Sequence, residues 1–285
     1  DLFILLQMKK FIITTDLDGT FLGRHDFDFK VNISLVREII KKGVPIIFNT
    51  SKTFEEVIEI KNEIGFYCPI ITENGCGIYY PKYKTNSKKL NRLHFKLISK
   101  NFSKEYLNKI IKKHFQEFKQ DFDLTANIST SDLVKISGLP RQKVKKIINR
   151  KFSELIVWKS NNARLSLFKA RIEEYGLSLT RGARFLHLKG KTNKGVALSN
   201  LLKYMKKETD MSNLRLIGLG DSENDLEMLE RCDHSFLIKI PNRKFIKMGS
   251  SKFLKSKKPA PVGWAECLFR VQSFKDSILK DYKNG

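Results

Sequence analysis

The chain is short of acid: its 285 residues hold 30 Asp and Glu against 54 Lys and Arg, a formal net charge of +24. It is also short of soft metal ligands. Four cysteines occur, Cys68, Cys76, Cys232 and Cys267, and none forms a CxxC pair. The five histidines show no HExxH spacing. These scarcities argue against a disulfide scaffold and a structural zinc site, and the cysteines read as reduced, mostly buried thiols of a cytoplasmic protein. Long apolar runs are missing too. None reaches the roughly 18 residues that span a bilayer, so no membrane partner is expected. The opening Asp1-Leu2-Phe3-Ile4-Leu5-Leu6-Gln7 lacks the basic n-region and cleavage site of a signal peptide. Met8-Lys9-Lys10 reads as a natural start, and residues 1–7 are given no function. No internal repeat or low-complexity tract is found.

What is present suffices for a core. A hydrophobic fraction of 41% is ordinary for a globular chain, and the length fits two modest domains. The positive excess is uneven: Lys84 to Arg184 holds 24 basic and 8 acidic residues. Such a stretch can attract an anionic ligand or a polyanion. It also reads as solvated faces, which its scattered, helix-spaced lysines fit better.

Lys10–Thr15 is a β-branched run that reads as a buried parallel strand. A helix over Ser34–Lys42, a strand over Val44–Phe48, a helix opened by the capping box of Thr53 and Glu56, and a strand over Pro69–Thr72 follow. This alternation predicts a doubly wound α/β unit. After Pro81 the pattern changes to a polar arm, helices over Asn101–Phe118 and Arg141–Phe152, and short strands at Ile156–Trp158, Leu165–Leu167 and Phe185–Leu188. It resumes with a helix over Asn193–Lys207, a strand over Leu214–Leu219, a helix over Glu223–Arg231 and a strand over Ser235–Ile240. The expected fold class is therefore α/β: a discontinuous core, 8–83 and 189–285, with an α+β insert over 84–188.

Three polar clusters lie just past the C-terminal ends of predicted strands, the edge where open α/β sheets bind ligands. Asp16-Leu17-Asp18-Gly19-Thr20 puts two carboxylates on one turn, able to face one cation and one electrophile. Alone it also reads as a plain Asp-Gly turn that the Thr20 hydroxyl can hold. Gly220-Asp221-Ser222-Glu223-Asn224-Asp225 opens a helix, where acids also suit the dipole. Carboxylates from both clusters would repel unless a divalent cation sat among them, and oxygen-only ligation suits Mg²⁺. Thr50-Ser51-Lys52 offers hydroxyls to a phosphoryl group. Lys194-Gly195 opens a helix, a place where a lysine opposes the dipole unless an anion is near; it also reads as one more solvated lysine.

Taken in order, Asp-Leu-Asp-Gly-Thr, Thr50, Lys194-Gly195 and Gly-Asp-x-x-Asn-Asp resemble the four motifs of the haloacid dehalogenase superfamily of phosphatases, with the insert placed as in its Cof-type members. A closer resemblance, over nearly the whole chain, is to the mannosyl-3-phosphoglycerate phosphatase family. It is carried by Asn49–Thr53, Thr72-Glu73-Asn74-Gly75, Ser137-Gly138-Leu139-Pro140, Arg181–Leu188 and Pro261-Val262-Gly263-Trp264. The chain departs from that family at Gly182-Ala183, where glycines are usual, and at Asn193, often acidic.

The resemblance implies a Mg²⁺-dependent phosphoric monoester hydrolase of compatible-solute synthesis. Asp16 would be the nucleophile and Asp18 the general acid and base. Thr50 and Lys194 would stabilise the transferring oxygens. Mg²⁺ would be held by Asp16, the Asp18 backbone carbonyl and Asp221, with Asn224 and Asp225 supporting the loop. Ser51, Lys52, Glu73, Asn74, Arg184 and His187 would meet a small anionic sugar substrate, mannosyl- or glucosyl-3-phosphoglycerate. Glu73 and Asn74 also read as a turn, and His187 as a structural histidine. Two rivals stand beside this reading: a broad sugar-phosphate phosphatase or mutase of the same architecture, and a nucleic-acid-binding protein with a vestigial site. No nucleic-acid motif or aromatic stacking pattern favours the second.

Overall fold

Runs of apolar residues with no polar alternation form strands covered on both faces. Phe11–Thr15 (β1) is buried at every position, as is Ile46–Asn49 (β2). The computed structural model describes residues 10–82, 89–182, 185–207, 213–243, 245 and 253–282. Around β1 and β2 it assembles an eight-stranded sheet in the order β12-β11-β10-β1-β2-β3-β4-β5. The further strands are Ile70–Thr72 (β3), Gly77–Pro81 (β4), Phe95–Lys100 (β5), Arg215–Gly220 (β10), His234–Lys239 (β11) and Leu254–Pro259 (β12). Six of the eight run parallel, and β4 and β5 close one edge antiparallel.

Alternate residues of each central strand feed different layers, the period-two rule of a pleated strand. Phe11, Ile13, Ile46, Phe48, Ile217 and Leu219 join one apolar cluster. Ile12, Ile47, Leu216 and Leu237 join the cluster on the other face. The first cluster is roofed by Ile33–Lys41 (α1), Phe54–Ile64 (α2), Val262–Phe269 (α9) and Gln272–Ile278 (α10), the second by Lys194–Lys206 (α7) and Leu226–Leu229 (α8). Helix α2 starts where the sequence predicts: the Thr53 side chain accepts from the Glu56 N–H, and Glu56 returns a bond to the Thr53 N–H.

The remaining elements form a second unit. A four-stranded antiparallel sheet, β6-β7-β9-β8, is built from Phe122–Leu124 (β6), Ser153–Trp158 (β7), Leu177–Arg181 (β8) and Leu186–Gly190 (β9). Lys104–His114 (α3) and Asn162–Glu173 (α6) cover one face. Thr130–Ser137 (α4) and Arg141–Ile148 (α5) enclose a smaller cluster with Leu155 and Phe185.

Three sequence expectations change. Leu165–Leu167, expected as a strand, lies inside α6: Asn161 caps that helix by accepting the Arg164 N–H, and Leu165, Phe168 and Ile172 line its buried stripe at helical spacing. Phe95–Lys100, inside the stretch assigned to the insert, pairs with β4 as the edge of the large sheet. Its pattern of one buried and five part-exposed or exposed residues carries the weak apolar signal of an edge. The helix expected over Glu223–Arg231 is a 3-10 turn, Glu223–Asp225, followed by the four-residue α8.

Candidate active site

The C-terminal ends of β1, β2, β3 and β10 converge on one place. Asp16 follows β1, and its N–H donates to the Leu219 carbonyl of β10 (2.9 Å). The Thr15 hydroxyl donates to the Asp16 carbonyl (2.7 Å) and in turn accepts from the Trp264 indole N–H (3.1 Å). Trp264 is fully buried, so a residue far along the chain fixes the backbone of the first loop. The turn closes through backbone bonds from Gly19 to Leu22 and from Leu22 and Thr20 to Leu17. Gly19 has a φ of 76°, which a β-carbon would strain; that atom would also stand 2.6 Å from Asp221 Oδ2. The Thr20 hydroxyl, which the sequence offers as able to hold the turn, is buried and has no hydrogen-bond partner among the described residues. The turn's hydrogen bonds are instead the backbone ones.

Lys194 begins α7 and is completely buried. Its Nζ donates to Asp16 Oδ1 and to Asp225 Oδ1, each at 2.6 Å. The two carboxylates hold its ammonium above the usual lysine range against the opposing effect of burial. Asn193 caps the helix by accepting the Val196 N–H (2.8 Å), which gives the Asn that departs from the family pattern a local role. Asn49 donates to the Lys194 carbonyl (3.0 Å). Asp225 spends its other oxygen on the N–H groups of Asp221 and Ser222, both at 3.0 Å. Asn224 donates to Asn74 Oδ1 (3.0 Å).

Carboxylate oxygens of Asp16, Asp221 and Asp225 lie within 4.8 Å of one another, all buried. Burial pushes Asp16 up to about 8, with Lys194 opposing it and Asp225 and Asp221 adding to it. Burial, followed by Asp225, pushes Asp221 up to about 6. Among the described residues, the cations in direct contact with these three acids are Lys194 and Arg24, whose Nη1 sits 2.7 Å from Asp221 Oδ2. This donor set fits a hard divalent cation: it is all oxygen, buried and short of positive charge. Since Asp225 is committed to Lys194 and to backbone N–H groups, Asp16 and Asp221 are the side chains able to hold the ion.

Thr50 is fully buried and its hydroxyl accepts the Lys52 N–H (3.2 Å). Lys52 Nζ reaches Asp18 Oδ1 at 2.8 Å and Glu56 Oε1 at 3.7 Å. Asp18, whose side chain is 40% exposed, faces a cavity of about 240 Å³ between core and insert, shared with Ser51, Lys52, Phe27, Lys143, Arg150 and His187. His187, on β9 opposite Leu155, is buried, and its Nδ1 has no hydrogen-bond partner among the described residues. Burial and the nearby Arg150 and Lys189 charges hold it well below the usual histidine range. Gly182 makes room for this ring: a β-carbon there would lie 2.3 Å from His187 Nε2.

Two expected substrate contacts sit elsewhere. Glu73 turns into the joint between the units. Its carboxylate accepts the N–H groups of Lys151 (3.0 Å) and Phe152 (3.1 Å) and the Ser153 hydroxyl (2.6 Å). Arg150 lies 3.6 Å from it and donates to the Ser51 carbonyl (2.5 Å). Asn74 meets Asn224 and, through its N–H, the Thr50 carbonyl. Both residues have positive φ, 52° and 58°, a turn geometry that aims Glu73 away from the cavity. Arg184 lies outside the described residues. Arg24, Asn49, Arg150 and Trp264 were not anticipated. Asn49 and Trp264 stood within the quoted motifs; Arg24 and Arg150 carried no signal beyond being basic.

A family model described as haloacid dehalogenase-like hydrolase matches residues 13–249, so the chain belongs to that family of hydrolases. Within it, the chain is 31% identical over 264 residues to a glucosyl-3-phosphoglycerate/mannosyl-3-phosphoglycerate phosphatase of Persephonella marina, covering 91% of this chain and 96% of that one. Among solved structures, a Thermoplasma acidophilum protein superposes with a TM-score of 0.63 at 18% identity, over 94% of this chain and 99% of its own. A sucrose-phosphatase from Synechocystis sp. PCC6803, solved with sucrose and phosphate, gives 0.59 at 14% identity, over 92% and 97%. These two likenesses show a shared fold. Among the described residues, no helix is long and apolar enough to cross a membrane.

Proposed function

We propose that this chain is a Mg²⁺-dependent phosphatase that hydrolyses glucosyl- or mannosyl-3-phosphoglycerate in the cytoplasm, releasing the glycosylglycerate, a compatible solute, and phosphate. The observation that carries the reading is Lys194 bridging Asp16 and Asp225 inside a cluster of buried carboxylates at the strand ends. The 31% identity to a phosphatase of that specificity supports the substrate.

Asp16 Oδ attacks phosphorus, the ester oxygen departs, and Asp18 gives that oxygen a proton; water, deprotonated by Asp18, then releases phosphate from Asp16. Lys194 stays bound to Asp16 and neutralises charge on the transferring oxygens, with the Thr50 hydroxyl beside it. Mg²⁺, when bound, would offset the repulsion between carboxylate and phosphate, both anions. Asp16 and Asp221 would hold it, together with the Asp18 carbonyl. Lys52 is shared by Asp18 and Glu56, and an entering anion competes for it, which loosens its hold on Asp18. His187, kept neutral, suits a sugar hydroxyl better than a carboxylate. The insert expected over 84–188 acts as the cap that carries this specificity, with β5 on the core side of the joint.

Steady-state phosphate release from the two glycosyl-3-phosphoglycerates and from a panel of hexose phosphates tests the reading. A kcat/KM at least about tenfold higher for one of the former is expected. Equal rates across the panel would replace it with a broad sugar-phosphate phosphatase.

A further inference from the structure

Phe27 follows the nucleophile turn with a φ of 59°, a left-handed conformation that a bulky side chain takes only under restraint. The restraint is local: the Phe27 N–H donates to the Gly23 carbonyl (3.1 Å) and the Gly23 N–H to the Asp28 carbonyl (2.8 Å). The ring packs against the core cluster and lines the cavity between core and cap. Two ammonium groups approach it, Lys52 from the core at 5.2 Å and Lys143 from cap helix α5 at 3.8 Å from the centroid. Both line the same cavity as Asp18. An aromatic face attracts each cation within about 6 Å, so the ring holds both ammonium groups at the cavity, Lys52 with Asp18 and Glu56 beside it and Lys143 brought in from the cap. Helix α5 is braced against α2 by Lys146 and Glu59 (2.7 Å), so Lys143 is presented over the cavity from a supported element.

We propose that Lys143, presented on the Phe27 ring, is a specificity-determining residue that binds a second anion of the substrate, a carboxylate carried by the leaving alcohol away from the phosphate. The proposal rests on the phosphatase reading and deepens it. A compact ammonium on a flexible stem suits a single contact of this kind, while His187, lining the same cavity, suits a neutral hydroxyl.

Two esters that differ by the carboxylate alone, 3-phosphoglycerate and glycerol 3-phosphate, test it. Their binding is titrated calorimetrically into magnesium-loaded Asp16→Asn protein, which retains the cavity without turning the ligands over, with and without Lys143→Gln. Lys143 is exposed, so its substitution leaves the fold intact. Lys143→Gln is expected to weaken 3-phosphoglycerate about tenfold, the loss of one charge-assisted contact, and to change glycerol 3-phosphate by less than about twofold. Lys143→Arg restores most of the difference, and Phe27→Leu weakens the same ligand to a smaller degree. Equal weakening of both esters, or an unchanged 3-phosphoglycerate affinity, overturns the proposal. Phosphate release by the unsubstituted enzyme is measured separately, so a failed phosphatase reading shows there and not in the ratio of affinities.

Discussion

Lys194 and Lys61 are both fully buried, yet their ammonium groups meet different surroundings. Lys194 has two carboxylates at 2.6 Å. Lys61 has the Phe66 and Phe48 rings at 3.9 and 4.9 Å and no hydrogen-bond partner for Nζ among the described residues. Burial lowers its pKa to about 8. A folded-state pKa below the unfolded one means that folding carries a penalty while the amine is charged, and that the penalty fades as pH rises from about 8 toward 10. Lys61→Met is therefore expected to raise stability by about 2 kcal/mol at pH 7, the desolvation cost less the ring attraction. Its advantage over the unsubstituted protein should shrink by pH 10. Urea titrations at the two pH values check this, and a less stable variant at pH 7 would contradict it. Arg24 offers a second test at this scale. Its guanidinium and a cation compete for Asp221 Oδ2, so Arg24→Ala should tighten Mg²⁺ up to about fivefold, the limit set by ~1 kcal/mol for a part-exposed ion pair. Calorimetric titration of the metal reads this directly; weaker binding would mean that Arg24 assembles the site instead.

The elements most legible in the sequence were those whose signal is local. Buried parallel strands announce themselves as β-branched runs, and α2 by its capping box at Thr53 and Glu56. Their C-terminal ends place Asp16, Thr50 and Asp221 with no further information, which makes this sheet edge legible in the sequence. The edge strand β5, half exposed, and α6, whose Leu165–Leu167 segment carries the apolar alternation of a short strand, depend on partners distant in sequence. Glu73 shows the same limit at the site. Its motif marked it as important, yet that it faces Lys151, Phe152 and Ser153 across the joint follows only from how the cap docks. This contact ties the loop holding Thr50 to the cap, because Arg150 bonds both the Ser51 carbonyl and the Ser153 hydroxyl. Glu73→Gln keeps the shape but removes the charge. It should cost about 1–3 kcal/mol of stability and lower kcat more than it raises KM, since Glu73 braces the Thr50 loop and does not itself line the cavity. A rise in KM with kcat preserved would return Glu73 to the substrate contacts.

For the whole molecule, two facts combine: the core presents buried acids at one sheet edge, and the cap closes over them with much of the chain's positive excess. Net charge alone was uninformative, because scattered exposed lysines account for most of it. What distinguishes the joint is where a few of these charges lie, Lys52, Lys143 and Arg150 about one cavity and Lys194 beneath it. We infer from this arrangement that an anion binds at the joint and that its phosphoryl group passes to Asp16. The most direct measurement is rapid acid quench of the Mg²⁺-loaded enzyme mixed with glucosyl-3-phosphoglycerate, followed by mass analysis of the peptides. One phosphoryl group on the peptide containing Asp16, absent from Asp16→Asn protein, is the predicted result. Phosphate released by the enzyme with no phosphoryl group trapped on that peptide, and at an undiminished rate in Asp16→Asn, would contradict the account.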